Sequence, residues 1–297
     1  MFPFQRSRLE PCVAPQVHPV QGDDDMARHG KDSNIPSAAR LLEDVLRTQA
    51  GAFDKSLGAL TSDYDPERLH KARVALRRLR SALQGFAPIL DKDEARKLSR
   101  QARDLFRILG PLREADVAVE SFATEADREL LAARALALRG ETRDRLQAAG
   151  VDAFAARVES GLRDGRLLGK GPPARRLALS GAPLLGALAL QEVWTRVLAY
   201  GDSIAALQEE PRHDFRKDMK TLRYLTEFFL PVMAGRKPAK FIKRLEKLQE
   251  DLGELNDIAV HTRGGSLEGD LQRRADRATK AAETHWAKLR KAGPWWG

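Results

Sequence analysis

Two stretches of this sequence decide its fold: "HKARVALRRLR" at residues 70–80 and "HDFRKDMKTLR" at residues 213–223. In both, apolar residues recur at intervals of three and four, which is the period of an amphipathic α-helix. A helix turns by about 100° per residue, so each stretch presents an apolar face beside a basic face. We define the first basic stripe as His70, Arg73, Arg77 and Arg80, and the second basic stripe as His213, Arg216, Lys220 and Arg223. The predicted core residues beneath them are Leu69, Leu76, Leu79, Leu83, Phe86, Phe215, Met219, Leu222 and Phe229.

The two stretches belong to a longer internal repeat. Adding 143 to a residue number superposes the first stretch on the second and then pairs Phe86 with Phe229 and Pro88 with Pro231. The same offset pairs the Leu-Gly-x-Leu of 109–112 with that of 252–255, and no gap is needed over about 45 residues. One constant offset shared by several motifs predicts a duplication.

The sequence around the repeat is helical in pattern from residue 37 onward, and period-two runs rich in Val, Ile and Thr are absent. We therefore predict an all-α protein. Two halves, 37–147 and 183–291, are joined by a connector at 148–182 and flanked by tails at 1–36 and 292–297. Each half is predicted to be a four-helix bundle, and the two bundles are predicted to be related by a pseudo-two-fold axis with a basic groove or pore between them. The predicted helices are 37–60, 66–87, 92–109, 113–147, 152–165, 183–204, 211–230, 236–252 and 255–291.

The residues at 65–67 indicate the start of a helix. In "DPE" at 65–67, Asp65 can accept hydrogen bonds from free backbone amides, and Pro66 can take the first helical position, where its missing N–H is harmless.

Positive charge is concentrated in the repeat. The chain has 297 residues, with 51 Lys and Arg against 42 Asp and Glu, a net charge of +9. Residues 66–110 carry a net charge of +7 and residues 209–253 carry +3, which leaves −1 for all the rest. Like charges three and four residues apart destabilise an isolated helix, and no Asp or Glu lies between Arg68 and Leu90. The counter-charge comes either from carboxylates elsewhere in the fold or from a bound polyanion, and the duplicated stripe favours the polyanion.

Several other classes of function are disfavoured. No apolar run approaches the length of about 20 residues that a membrane span needs, and the single cysteine, Cys12, excludes an internal disulfide. There is no His-Glu-x-x-His motif, and "GRLLGK" at 165–170 is one residue short of a phosphate-binding loop. We expect a cytoplasmic protein without cofactor, metal or catalytic site.

The residue types in the stripes suit phosphate. Arginine donates paired hydrogen bonds to phosphate oxygens, and lysine acts as a mobile point charge. Histidine beside an anion is favoured in its charged form, so His70 and His213 would strengthen binding as the pH falls. The pattern therefore predicts a polyanion site.

Four motifs in this chain resemble those of the CHAD domain, the conserved-histidine α-helical domain: "HxxRVxLRRLRxxLxxF" (70–86), "LGxLRxxDV" (109–117), "HxxRKxxKxLRYxxEFF" (213–229) and "LQxxLGELND" (248–257). The resemblance covers about 37–291. It implies two four-helix bundles that bind inorganic polyphosphate, and a place on polyphosphate granules. It implies phosphate contacts from both basic stripes and adds five residues of the third helices, Lys97, Arg100, Lys240, Lys243 and Lys247.

Two features depart from the family pattern. The usual Arg-Asp after the first Leu-Gly turn is Arg113-Glu114 here. The Glu-x-Glu-x-Lys motif of the CYTH triphosphatase domain that accompanies many relatives is absent. We therefore expect a non-enzymatic polyphosphate-binding module. The alternatives are a nucleic-acid-binding helical protein and an accessory subunit of a phosphate-metabolising enzyme.

Overall fold

Helices make up most of the described part of this protein. The computed structural model describes residues 35–57, 64–121, 127–233, 238–262 and 269–297, and these contain eleven α-helices and no β-strand, which confirms the all-α prediction. All but the last two residues of the predicted tail 1–36 lie outside the described residues. The helices are α1 (Ala38–Leu57), α2 (Pro66–Gly85), α3 (Lys92–Ile108), α4 (Gly110–Ser121), α5 (Arg128–Ala148), α6 (Phe154–Arg163), α7 (Pro172–Leu179), α8 (Ala182–Leu198), α9 (Glu209–Phe229), α10 (Ala239–His261) and α11 (Gly269–Ala292).

The start of α2 is the one the sequence predicts. Asp65 is the N-cap, its Oδ1 accepts a hydrogen bond of 2.8 Å from the Glu67 backbone N–H, and Pro66 is the first helical residue. Helix α9 starts at Glu209, which is 143 residues after Pro66. The two helices that carry the stripes therefore begin at equivalent positions of the repeat.

Two predictions of where helices are interrupted are wrong. The predicted helix 113–147 is two helices, α4 and α5, and residues 122–126 between them are outside the described part of the chain. In the second half, the predicted break at 252–255 is absent, because α10 runs through Gly253 to His261. The two halves differ at one repeat position. Pro111 has no backbone N–H and so cannot continue the hydrogen bonds of α3, whereas its counterpart Glu254 has a backbone N–H.

Direct packing between α2 and α9 joins the two halves of the repeat. Phe86 stacks on its repeat partner Phe229 with ring centroids 5.0 Å apart, and both side chains are fully buried. Gly85 allows the close approach of the helices, since a Cβ there would clash with the side chain of Leu225. The relation of the two halves by a pseudo-two-fold axis stays a prediction, as do the domain limits.

The predicted core residues of α2 and α9 are all buried, so the division of these helices into apolar and basic faces is confirmed. In the second half, Trp194 contacts Phe241, Trp286 and Trp296 edge-on. Trp296 is 4% exposed, so the segment after α11 completes this aromatic cluster. None of the described helices combines the length and apolar composition that a bilayer span requires.

Candidate functional site

The two basic stripes meet at one cavity of about 1310 Å³. Helix α2 contributes its whole stripe, and α9 contributes three of its four residues. The predicted site residues that line the cavity are His70, Arg73, Arg77, Arg80, His213, Arg216 and Lys220.

Arg223, the last residue of the second stripe, does not line the cavity. Its Nε lies 3.4 Å from a carboxylate oxygen of Glu227, which also pairs with Arg78 of α2. Arg223 is thus a cation with a carboxylate partner at the helix interface.

The predicted third-helix residues also lie away from the cavity. Lys97 forms an ion pair of 2.7 Å with Glu94, and its side chain is exposed. The cavity face of α3 holds Arg96 and Ser99, and Lys97 and Arg100 are rotated from it by about 100°. The predicted residues exposed outside the cavity are Lys97, Arg100, Lys240, Lys243 and Lys247.

Five further cations line the cavity and were not among the predicted site residues. Arg113 could have been identified from the sequence, since it belongs to the "LGxLR" motif. The others lie near helix starts or beside the stripe, so the pattern of a single helical face does not include them. These residues are Lys92, Arg96, Arg113, Arg212 and Lys217.

Arg77 lies at the electrostatic centre of the site. Its charge lowers the pKa values of His70 and Arg73 in its own half and of Arg216 and Lys220 in the other half. The interaction of Arg77 with all four groups shows that the fold brings the cations of the two stripes close together.

Burial and mutual repulsion weaken the charged forms of these side chains. Burial, followed by the charge of Arg77, lowers the pKa values of Arg73 and Arg216 to about 10. The same two causes hold the pKa of Lys220 well below its usual value, and Asp257 acts in the opposite direction with a smaller effect. A bound anion would reverse these effects, because it favours each charged form.

Carboxylates do not neutralise the centre of the site. Among the described residues, no ion pair within 4.0 Å involves Arg73, Arg77, Arg80, Arg216 or Lys220. The buried Nε atoms of Arg77, Arg80 and Arg216 have no hydrogen-bond partner in the described part of the protein. Buried donors normally have partners, so these groups are free to bind a ligand with acceptor oxygens.

Arg73 is fixed in place by Phe106 of α3. Its Nη1 donates a hydrogen bond of 3.0 Å to the Phe106 backbone carbonyl, and its guanidinium carbon lies 4.0 Å from the centroid of the Phe106 ring. The ring therefore orients the guanidinium without neutralising it.

Acidic residues are a minority at the cavity wall: ten Lys and Arg side chains line it, with five carboxylates. One of these carboxylates, Asp218, accepts a hydrogen bond of 3.1 Å from the Tyr200 hydroxyl and lies 3.6 Å from Arg196. The described residues contain no group of three or more His, Cys, Asp or Glu side chains suited to holding a metal ion. Cations thus predominate at the described part of the cavity wall.

A model of the CHAD domain family matches residues 38–263, which include both stripes and the cavity between them. The chain belongs to the CHAD domain family. The crystal structure of the CHAD domain from the plant Ricinus communis is 23% identical and superposes with a TM-score of 0.64, covering 88% of this chain and 89% of that one. The structure of PptA from Streptomyces chartreusis is 17% identical with a TM-score of 0.56, covering 86% of this CHAD protein and 99% of PptA. A comparison with the curated proteins finds no match.

Burial of His70 makes the pH dependence of the protein's stability predictable. Burial, followed by the charges of Arg113 and Arg77, lowers its pKa from 6.5 to about 4. The folded state thus binds this proton less readily than the unfolded state, and stability is lost as the pH falls from the ordinary histidine range toward 4. We expect His70→Gln to reduce the loss of unfolding free energy between pH 7 and pH 4 by about 1 to 3 kcal/mol. Urea denaturation of both proteins at several pH values measures this difference in unfolding free energy. An unchanged pH profile in His70→Gln would show that His70 is solvated.

Proposed function

We propose that this CHAD domain protein binds inorganic polyphosphate in the cavity between α2 and α9. The observation that supports this most directly is the convergence of seven stripe residues on one cavity, with no carboxylate paired to its central cations. Guanidinium groups without partners are suited to donating hydrogen bonds to phosphate oxygens, and a chain of phosphates supplies the missing negative charge. Membership of the CHAD family supports the same ligand.

A nucleic acid is the less suitable polyanion for this cavity. Phe106 and Tyr224 are its lining aromatic residues in the described part of the chain. Arg73 covers the Phe106 ring, and guanidinium carbons of Arg78 and Arg223 lie 5.1 and 5.3 Å from the Tyr224 ring centroid. Bases bound by single-strand-binding proteins stack on free aromatic faces. A ligand of phosphates alone needs no such face.

We infer a binding module rather than an enzyme, since cations that attract anions predominate among the described residues of the cavity wall. Binding to long polyphosphate chains would also place the protein on polyphosphate granules in the cytoplasm. A role as an accessory subunit of a phosphate-metabolising enzyme has no separate support in the structure.

A competition assay tests the ligand. Long-chain polyphosphate, single-stranded DNA, double-stranded DNA and ATP compete for the protein at physiological salt, and we expect polyphosphate to bind tightest. Equal or tighter binding of DNA would overturn the proposal.

The salt dependence of binding tests the mechanism. Each phosphate that is neutralised releases condensed counterions, so the association constant falls as salt rises. If about five phosphates are neutralised, affinity should fall about 100-fold between about 50 and 200 mM salt. Fluorescence titration at four salt concentrations gives the slope. A flat slope would show that the cations do not contact the phosphates.

A further inference from the structure

Lys220 differs from the ion-paired lysines of α2, α3 and α9, and from Lys92, which lines the cavity without an ion pair among the described residues but is exposed. Lys71, Lys97 and Lys217 lie 3.8, 2.7 and 2.5 Å from the carboxylates of Glu67, Glu94 and Asp214. Lys220 lines the cavity and is largely buried, yet among the described residues it has no ion pair within 4.0 Å and no hydrogen bond. A buried ammonium without a partner is costly, which favours loss of its proton.

The surroundings of Lys220 reinforce this effect. Arg77 faces it from α2, Arg216 and Arg223 lie on its own helix, and Asp257 of α10 is the opposing carboxylate. Burial is the largest cause, three guanidinium charges outweigh one carboxylate, and the pKa of Lys220 therefore lies well below that of a solvated lysine. The neutral form of a lysine is its nucleophilic form, and a lowered pKa makes that form more abundant.

The same guanidinium groups would attract a small phosphate reagent. Arg77, Arg80 and Arg216 line the wall that also holds Lys220, and among the described residues none of their guanidinium groups has an ion pair within 4.0 Å. A small reagent that carries a phosphate group and a reactive carbonyl carbon would be held there near an amine that can attack the carbonyl. The cavity therefore combines recruitment of an anion with a reactive side chain, which neither an exposed lysine nor an ion-paired lysine offers.

We propose that Lys220 is an acylation site for acyl phosphates, which the cations of the cavity recruit through the phosphate group. The neutral amine attacks the carbonyl carbon, a C–N bond forms, and the C–O bond to phosphate breaks. The phosphate leaves with the bonding electron pair and takes up the proton that the amine loses, so the products are an amide and hydrogen phosphate. The amide carries no positive charge. Acylation thus removes one central cation, and its effect on polyphosphate binding rests on the function proposed above.

Acetyl phosphate is the probe for this reaction. The full chain is incubated with it at neutral pH, and acetylation of each lysine is followed over time by mass spectrometry of proteolytic peptides. We expect the initial rate at Lys220 to exceed that at Lys217 at least about tenfold, because ion pairing suppresses the free amine. Lys217 is a matched control, since it lines the same cavity with Asp214 2.5 Å away. A rate at Lys220 no higher than at Lys217 would overturn the proposal.

Acetic anhydride distinguishes recruitment of the phosphate group by the cavity from the intrinsic reactivity of the Lys220 amine, because it transfers the same acetyl group without a phosphate. The ratio of acetylation at Lys220 to that at Lys217 should be at least about threefold higher with acetyl phosphate than with the anhydride. Excess pyrophosphate should lower the acetyl phosphate rate at Lys220 and leave the exposed Lys280 unaffected. Equal ratios for the two reagents would show that the cavity does not recruit acyl phosphates.

The outcomes for acylation and for polyphosphate binding are distinguishable. If Lys220 reacts selectively and is protected by pyrophosphate while long-chain polyphosphate fails to bind, the proposed function fails and the acylation site stands. If polyphosphate binds and Lys220 reacts no faster than Lys217, only the acylation site fails. Lys220→Arg removes the peptide signal assigned to this position and verifies the assignment.

Discussion

Replacing Arg77 and Lys220 together with glutamate is expected to abolish polyphosphate binding while the protein stays helical. Both residues line the cavity, and each acts electrostatically on the other. The double substitution places two carboxylates where phosphate oxygens would lie, so attraction becomes repulsion. We expect affinity to fall at least about 100-fold, which corresponds to about 3 kcal/mol of binding free energy. Titration with labelled polyphosphate measures the affinity, and far-ultraviolet circular dichroism measures the helicity.

A control variant makes the same change of charge at two residues outside the cavity. Lys280 and Lys288 are exposed on α11, and neither lines the cavity. Their replacement by glutamate should reduce affinity only a few-fold through the net charge. Similar losses in the two double variants would contradict a local site. Undiminished binding by the cavity variant would instead indicate another surface, for which the exposed cations of α3 and α10 are the candidates.

The second large effect is expected in stability. Phe229→Ala removes a fully buried ring that stacks on Phe86 and packs against Gly186 of α8. Truncation of a buried phenylalanine typically costs about 3 to 5 kcal/mol, because apolar contacts are lost and a cavity remains. We expect a loss of this size in the free energy of unfolding, measured by urea denaturation.

Leu188→Ala is a suitable comparison, since Leu188 lies on α8 and is 54% exposed. It should change stability by no more than about 0.5 kcal/mol. A small effect of Phe229→Ala would mean that the joint between α2 and α9 can collapse around the missing ring, and that the two halves are held mainly by other contacts.

Helical periodicity predicts the faces of single helices well and their interruptions poorly. The buried face of α2 follows from the spacing of Leu69, Leu76 and Leu83 alone. The missing break in α10 does not follow from periodicity, because Gly253 alone costs a helix only about 1 kcal/mol and Glu254 supplies the backbone N–H that Pro111 lacks in the first half. The connector was predicted with one helix, whereas it also holds α7, an eight-residue segment opened by two prolines.

The residues of the candidate site that lie on the repeated helix face could be predicted from the sequence. Arg77 and Lys220 occupy equivalent positions, so the duplication identified both. Arg113 and Arg212 reach the cavity from α4 and from the start of α9. Their convergence depends on helix packing, which periodicity within one helix does not contain. For the same reason the sequence could not separate Arg96, which faces the cavity, from Lys97, which lies beside Glu94 on the exposed side.

Among the described residues, the cations around Arg77 without ion-pair partners suit the binding of an anion but lower the stability of the fold. Partly buried like charges repel one another, and apolar side chains of similar size at these positions would remove that repulsion. On the proposed function, a bound polyanion would supply the missing counter-charge from outside and act as a component of the folded structure. Its binding free energy would add to that of folding, by about 2.7 kcal/mol when its concentration is 100 times the dissociation constant. The amount of polyanion around the protein would then govern the stability of the domain as well as its occupancy.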